Sequence, residues 1–162
     1  MKRKRDLDIV VYGATGYTGR LVAEYMNYRY GIDGEVAWAM AGRSEEKLVA
    51  VRDELTISES LPLIVADASD EESLRAMAKR ASVIVTTVGP YQLYGADLVA
   101  ACAQEGTDYI DLCGEPAWMK EMINEHAMTA QASGARIVFS CGFDSIPFDL
   151  GVFFFQQTAI IR

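Results

Sequence analysis

Short runs of apolar and β-branched residues alternate with stretches of helical periodicity along almost the whole chain. Six apolar runs predict buried strands at 7–13, 35–41, 62–66, 82–88, 108–112 and 136–140. The periodic stretches predict helices at about 17–30, 45–55, 70–80, 95–105, 116–133 and 146–162. Neighbouring parallel strands need a crossover segment between them. The pattern therefore predicts an α/β fold, a doubly wound six-stranded parallel sheet with helices on both faces and strand order 3-2-1-4-5-6.

Two predicted helices carry additional start signals. Ser69 with Glu72 three residues later predicts a capping box, and Pro116 suits the first turn of the helix at 116–133. The chain has no internal repeat, low-complexity tract or linker-like segment, which favours a single domain. We expect a basic tail at 1–6, a folded domain at 7–152 and a terminal helical segment at 153–162.

The terminal segment has an unusual composition. Phe153, Phe154 and Phe155 are consecutive, so their side chains cannot all face one sheet. Two interpretations stay open at this point. The segment is either a buried helix of a complete domain or a helix that leads into a second domain absent from this chain.

Composition narrows the classes of function. Of the 162 residues 51% are hydrophobic and 23% charged, which is typical of a globular chain. The net charge is −8, and without the basic run at residues 2–5 it is 11 − 23 = −12, which disfavours a nucleic-acid partner. No segment is apolar over the ~20 residues of a membrane span, and no signal peptide is evident, so we expect a cytoplasmic protein. Three cysteines without a C-x-x-C pair, and a single histidine, indicate neither a disulfide framework nor a metal site.

A glycine-rich loop lies where a dinucleotide-binding fold needs one. The spacing G-x-x-G-x-x-G joins the first predicted strand to the first predicted helix. Gly13 allows the tight turn, Gly16 lets the backbone approach a pyrophosphate, and Gly19 allows close packing of helix on sheet. The pyrophosphate would face the amino end of the helix. The predicted cofactor contacts in this loop are Gly13, Thr15, Gly16, Tyr17, Thr18 and Gly19.

The end of the second strand indicates which cofactor is bound. An acidic residue there accepts the ribose 2′-hydroxyl of NAD, whereas a cation accommodates the 2′-phosphate of NADP. The sequence has Arg43 and Ser44 at this point, with Lys47 one turn further on and no acidic residue in the strand's last positions. These residues favour NADP over NAD.

Later strand ends are expected to complete the same groove. Asp67 is placed either to accept a hydrogen bond from the adenine amino group or to cap the following helix. After the fourth strand, Val88, Gly89, Pro90 and Tyr91 are expected beside the nicotinamide ribose, at the topological switch point. The sequence therefore predicts one continuous dinucleotide groove along the carboxyl ends of the strands.

Five segments together resemble the NAD(P)-binding domain of the saccharopine dehydrogenase-like oxidoreductases, and in wording they are similar to the trans-acting enoyl reductases of that family. They are GATGYTG, AGRS, VGPYQLYG, YIDLCGE (109–115) and CGFDSIPFDLG (141–151). The resemblance implies an NADP-dependent oxidoreductase that transfers hydride to or from a small organic or lipid-like substrate. It also implies a second domain that would follow residue 152, so we expect the 162-residue chain to bind cofactor without turnover. A homodimer is compatible with these features.

No catalytic residue is assigned from sequence, although Tyr91, Glu115 and Asp144 are candidates for a proton donor. Two alternatives stay open. GATGYTG also begins acyl-phosphate reductases, which use a nucleophilic cysteine, and Cys141 follows a late strand. The chain could instead be a non-catalytic NADP-binding sensor. A substrate domain encoded after Arg162 would favour the enzyme.

Overall fold

The computed structural model describes residues 5–159, which form a six-stranded sheet and seven helices. The strands are β1 (Leu7–Tyr12), β2 (Trp38–Gly42), β3 (Leu63–Val65), β4 (Ala81–Thr86), β5 (Asp108–Ile110) and β6 (Ile137–Val138). The helices are α1 (Tyr17–Tyr30), α2 (Glu45–Glu54), α3 (Glu71–Arg80), α4 (Tyr91–Tyr94), α5 (Ala96–Glu105), α6 (Pro116–Ser133) and α7 (Ile146–Ala159).

All strands of the sheet run parallel. Their order is β3-β2-β1-β4-β5-β6, which confirms the predicted topology. Val10 at the centre of β1 is in register with Ala39 of β2 and Ile84 of β4. The chain reverses its direction of travel across the sheet between β3 and β4, and that reversal opens a crevice at the carboxyl ends of β1 and β4.

Side chains from the two faces of β1 belong to two separate hydrophobic clusters. Val10 and Tyr12 pack with apolar residues of α3, α5 and α6, whereas Val11 packs with α1 and α2. Because successive strand residues point to opposite faces, both faces of the sheet are covered. The predicted arrangement of helices on both faces is confirmed.

Several predicted strands end later than the observed ones. β1 stops at Tyr12 because Gly13 adopts φ +88°, and β5 stops at Ile110 because the Asp111 side chain accepts hydrogen bonds from the backbone of Cys113 and Ser140. α4 was not predicted, since a four-residue helix is too short to show periodicity.

The predicted capping box at Ser69 is wrong. α3 begins one residue later than predicted, and Asp70 is its N-cap, with Oδ1 accepting hydrogen bonds from the backbone of Glu72 and Ser73. The hydroxyl of Ser69 instead donates to Asp67. Pro116 does occupy the first turn of α6, as predicted.

The two ends of the described chain differ in packing. Arg5, assigned from sequence to a solvated tail, donates hydrogen bonds to the carbonyl oxygens of Ala78 and Glu105, so this residue belongs to the fold. At the other end, no residue of α7 is buried. Residues 1–4 of the predicted tail and 160–162 of the predicted last helix lie outside the described residues.

Candidate functional site

A groove of about 480 Å³ runs along the carboxyl ends of the strands. It is lined by seven of the predicted cofactor contacts: Gly13, Thr15, Gly16, Arg43, Asp67, Val88 and Gly89. The other lining residues are Tyr12, Gly42, Ala68, Ser69, Thr87 and Tyr94. The structure therefore brings residues that follow β1, β2, β3 and β4 to one surface, as expected for the crevice at a topological switch point.

The glycine loop is built by close backbone packing. Gly13 adopts φ +88°, a conformation that favours glycine, and its amide donates to the carbonyl of Ala41 at 2.9 Å. A Cβ atom built on Gly19 would lie 2.1 Å from the Gly13 carbonyl oxygen. At Gly16 the nearest atom to such a Cβ is 3.4 Å away, so this glycine leaves room in the groove rather than filling a tight contact.

The amino end of α1 is suited to an anion. Its N-cap is Gly16, which supplies no side-chain hydrogen bond, and its first turn contains no acidic residue. By contrast, α2 and α3 are capped by Ser44 and Asp70 and carry acidic residues in their first turns. Uncapped amide groups and the positive end of the helix dipole fit a pyrophosphate at this position.

Charged groups lie at the end of the groove formed by the residues that follow β2 and β3. Arg43 is exposed beside the groove, and its charge acts on both Asp67 and Tyr12. Hydrogen bonds from the backbone and hydroxyl of Ser69, together with Arg43, hold the pKa of Asp67 below its usual value. Burial and the nearby Asp67 carboxylate raise the pKa of Tyr12 to about 12. This part of the groove lining therefore contains both a cation and a carboxylate.

Ser44, a predicted cofactor contact, lies outside the groove lining and caps a helix. Its hydroxyl accepts a hydrogen bond from the Lys47 backbone at 3.3 Å, which caps α2. Glu45 and Glu46 follow directly in the first turn. Since these carboxylates oppose an anion, Arg43 is the cation on which a 2′-phosphate site at this groove would depend.

The loop after β4 forms the opposite end of the groove. Thr87, Val88 and Gly89 line it, and the Thr87 hydroxyl donates to the carbonyl oxygens of Tyr12 and Gly13 at 3.3 Å. Tyr94, at the end of α4, also lines the groove.

Not every predicted contact lines the groove. The side chain of Tyr91 is buried, its hydroxyl donates to the Thr86 carbonyl at 3.2 Å, and burial raises the pKa of the phenol to about 12. Tyr91 therefore supports the loop from below. The other predicted contacts outside the lining are Tyr17, Thr18, Gly19, Ser44 and Pro90, of which Tyr17 is 84% exposed.

Some residues that line the groove are not predicted as cofactor contacts from the sequence. Tyr12 was assigned only to the strand, although it directly precedes the glycine loop. Ser69 was assigned to a capping box, but the spacing Asp67-x-Ser69 is also typical of a local turn in which the aspartate accepts from the residue two positions on. That turn signal could have placed Ser69 beside Asp67.

A buried polar network lies beneath the loops after β5 and β6. The Tyr109 hydroxyl donates to Asp111 Oδ2 at 2.8 Å, and Asp111 Oδ1 accepts from the backbone of Cys113 and Ser140 at 3.0 and 2.7 Å. Burial raises the pKa of Asp111 despite these hydrogen bonds. The network joins two loops and does not reach the groove lining.

The candidate proton donors and the candidate nucleophile lie in different surroundings. Glu115 accepts hydrogen bonds from the backbone of Tyr91 and Gln92, whereas Asp144 is exposed. Burial and the Asp111 carboxylate raise the pKa of Cys141. A raised pKa is the opposite of what activates a nucleophilic thiol.

Within 5–159, no helix is both long and apolar enough to span a bilayer. No group of three or more His, Cys, Asp or Glu side chains in that range is arranged to hold a metal ion.

The fold and groove define a doubly wound dinucleotide-binding domain. A family model described as the saccharopine dehydrogenase NADP binding domain matches residues 9–138, and the chain belongs to this family. The family cofactor is NADP, in agreement with the prediction from Arg43.

Named relatives support the same assignment. The chain is 52% identical over 151 residues to a trans-acting enoyl reductase of Mycobacterium leprae and 51% identical over 150 residues to one of Mycobacterium ulcerans. The matches cover 93% and 92% of this chain but 35% of each relative. The chain thus spans about a third of the length of these relatives.

Solved structures share the fold at low sequence identity. Saccharopine dehydrogenase (L-Glu forming) from Saccharomyces cerevisiae superposes with a TM-score of 0.63 at 15% identity, covering 85% of this chain and 28% of that one. Triphenylmethane reductase from Citrobacter sp., complexed with NADP(H), gives 0.60 at 18% identity, covering 82% and 48%.

Proposed function

We propose that this chain is the NADP-binding part of a reductase that transfers hydride between NADPH and the activated double bond of a small organic or lipid-like substrate. A second domain completes the substrate site in this proposal. The single observation that carries the cofactor part is the uncapped, acid-free amino end of α1 in one groove with Arg43. The relatives named as enoyl reductases support the substrate class.

The residues divide the binding work along the groove. The amides at the start of α1 bind the pyrophosphate, and Arg43 binds the 2′-phosphate at the end of β2. The backbone of Val88 and Gly89 and the side chain of Tyr94 form the nicotinamide side. When bound, NADPH supplies the hydride, and the domain supplies orientation and electrostatic stabilisation.

The apolar surface of residues 143–155 supports the two-domain proposal. Phe143, Phe148 and Phe153 to Phe155 are 62–79% exposed, although aromatic side chains of this size are normally at least half buried. An exposed patch of this kind marks an interaction site. We assign it to the contact with the substrate domain, which leaves the chain alone unable to turn over substrate.

Two other functions receive less support. An acyl-phosphate reductase needs an activated thiol, and the raised pKa of Cys141 disfavours one. A non-catalytic NADP sensor would use the same groove, so binding alone does not separate it from a reductase. A polypeptide that includes the proposed second domain would separate them, because only a reductase oxidises NADPH when an unsaturated thioester is supplied.

Fluorescence titration tests the cofactor part of the proposal. The purified chain is expected to bind NADPH at least ~10-fold more tightly than NADH. This ratio corresponds to the free energy that about one good phosphate contact contributes. When the chain alone is incubated with NADPH and an enoyl thioester, the absorbance of NADPH is expected to stay constant. Failure to bind either cofactor overturns the proposal, and robust turnover by these residues overturns its two-domain part.

A further inference from the structure

Glu115 accepts two backbone hydrogen bonds from the loop that forms the nicotinamide end of the groove. Its Oε1 accepts from the Tyr91 amide at 2.8 Å, and its Oε2 accepts from the Gln92 amide at 2.9 Å. Both carboxylate oxygens are therefore engaged by the first turn of α4. Glu115 itself lies after β5 and directly before α6, so one side chain joins the loops that follow two neighbouring strands.

The groove residues lie on both sides of this attachment. Val88 and Gly89 precede Tyr91 by three and two positions, and Tyr94 follows at the end of α4. The carbonyl of Pro90 accepts from the Tyr94 amide at 3.2 Å, so fixing the first turn of α4 also fixes Tyr94. Glu115 is thus placed to control the whole nicotinamide end although it does not itself line the groove.

The loop is held from below as well. The buried Tyr91 ring lies against Trp118 of α6 with ring centroids 5.7 Å apart, and a Cβ built on Gly95 would lie 2.5 Å from the Trp118 ring. The ring packing supplies contact area, and the Tyr91 hydroxyl adds a hydrogen bond to the Thr86 carbonyl at 3.2 Å. The two hydrogen bonds to Glu115 are charge-assisted, which makes such bonds shorter and stronger than neutral ones.

We propose that Glu115 is a positioning residue that sets the nicotinamide end of the cofactor groove. This inference rests on the proposed NADP-binding function. It assigns to Glu115 a role distinct from proton transfer, because both of its carboxylate oxygens are already occupied by backbone donors. The adenosine end, which includes Arg43 and Asp67, lies on the other side of β1 and does not depend on it.

Two ligands separate the ends of the groove. NADPH contacts both ends, whereas adenosine 2′,5′-bisphosphate contains only the adenosine end with its 2′-phosphate. Replacing Glu115→Ala is expected to weaken NADPH about 10-fold, equivalent to about 1.4 kcal/mol, and to leave the bisphosphate within about 2-fold of wild type. Glu115→Gln retains one acceptor oxygen, so its NADPH affinity should fall between those of wild type and Glu115→Ala.

Glu121→Gln is the matched control, since Glu121 is an exposed carboxylate on the same helix. Isothermal titration of each variant measures both affinities, and circular dichroism confirms that each variant is folded. Equal losses for both ligands, or no loss in a folded Glu115→Ala variant, overturn the positioning role. Failure of the wild type to bind either ligand instead overturns the NADP-binding proposal itself.

Discussion

A Cβ atom built on Gly19 would lie 2.1 Å from the carbonyl oxygen of Gly13 and 2.8 Å from the Cα of Ala14. Both obstacles are backbone atoms, which cannot rotate away as the end of a side chain can. The first turn of α1 therefore packs directly on the loop that precedes it. This contact fixes the angle at which the amides of α1 meet the groove.

Gly19→Ala is expected to destabilise the domain by about 3 kcal/mol, at the upper end of the cost of overpacking, because the added methyl group must displace backbone. NADPH binding should be lost with it. Gly151→Ala is the control, since nothing lies within 4 Å of a Cβ at Gly151 on exposed α7. Thermal unfolding and NADPH titration measure both variants. An unchanged midpoint for Gly19→Ala would contradict this packing.

Arg43→Gln is expected to weaken NADPH by about 10- to 100-fold, since a charged hydrogen bond contributes about 1.5–3 kcal/mol. NADH, which lacks the 2′-phosphate, should bind within about 2-fold of wild type. Arg29→Gln removes the same charge from an exposed site at the end of α1 and should change neither affinity. Parallel fluorescence titrations provide the comparison, and equal losses for both cofactors would contradict the assignment of Arg43.

The sequence predicts the sheet well because its signals are local. Strand order and helix placement follow from six apolar runs separated by periodic segments, and Gly13, Gly16 and Gly19 fall where strand, turn and helix meet. The place of Arg43 in the groove lining follows from its position directly after β2. Apart from strand order, which also rests on the crossover rule for parallel strands, each of these inferences uses residues within about one element of each other.

Contacts between distant loops have no such signal. Glu115 accepts hydrogen bonds from Tyr91 and Gln92, which are 24 and 23 positions away in the sequence. Arg5 donates to Glu105, which is 100 positions away. Tyr91 follows a Gly-Pro turn, which is typical of an exposed loop, yet packing against Trp118 buries it. Such side chains are placed by tertiary packing, which sequence periodicity does not encode.

Asp111→Asn tests the buried network through pH dependence. Burial raises the pKa of Asp111 above its ordinary 3.8, so the folded protein holds this proton more tightly than the unfolded chain does. The stability that protonated Asp111 contributes is therefore complete below pH 3.8 and is lost as pH rises through the raised pKa. Asparagine does not titrate, and its amide oxygen can still accept from Cys113 and Ser140.

The free energy of unfolding of Asp111→Asn, relative to wild type, is thus expected to rise as the pH increases above 3.8 and through the raised pKa of Asp111. Urea unfolding at intervals of pH measures this difference. Asp33→Asn, at an exposed position between α1 and β2, is the control for changing net charge alone. If the stability of Asp111→Asn relative to wild type does not change with pH, or falls as pH rises, burial does not raise the pKa of Asp111.

Cys141 should be the first cysteine to react with iodoacetamide, and it should react more slowly than a free thiol. It is partly exposed, whereas Cys113 is 2% exposed and Cys102 is fully buried. Burial raises the pKa of all three, so the reactive thiolate is scarce at neutral pH.

Peptide mass spectrometry of timed samples at pH 8 resolves the order of labelling, with glutathione as the reference thiol. Cys141→Ser should retain NADPH affinity. Labelling of Cys141 faster than glutathione, together with protection by NADPH, would instead indicate an activated nucleophile and favour the acyl-phosphate reductase.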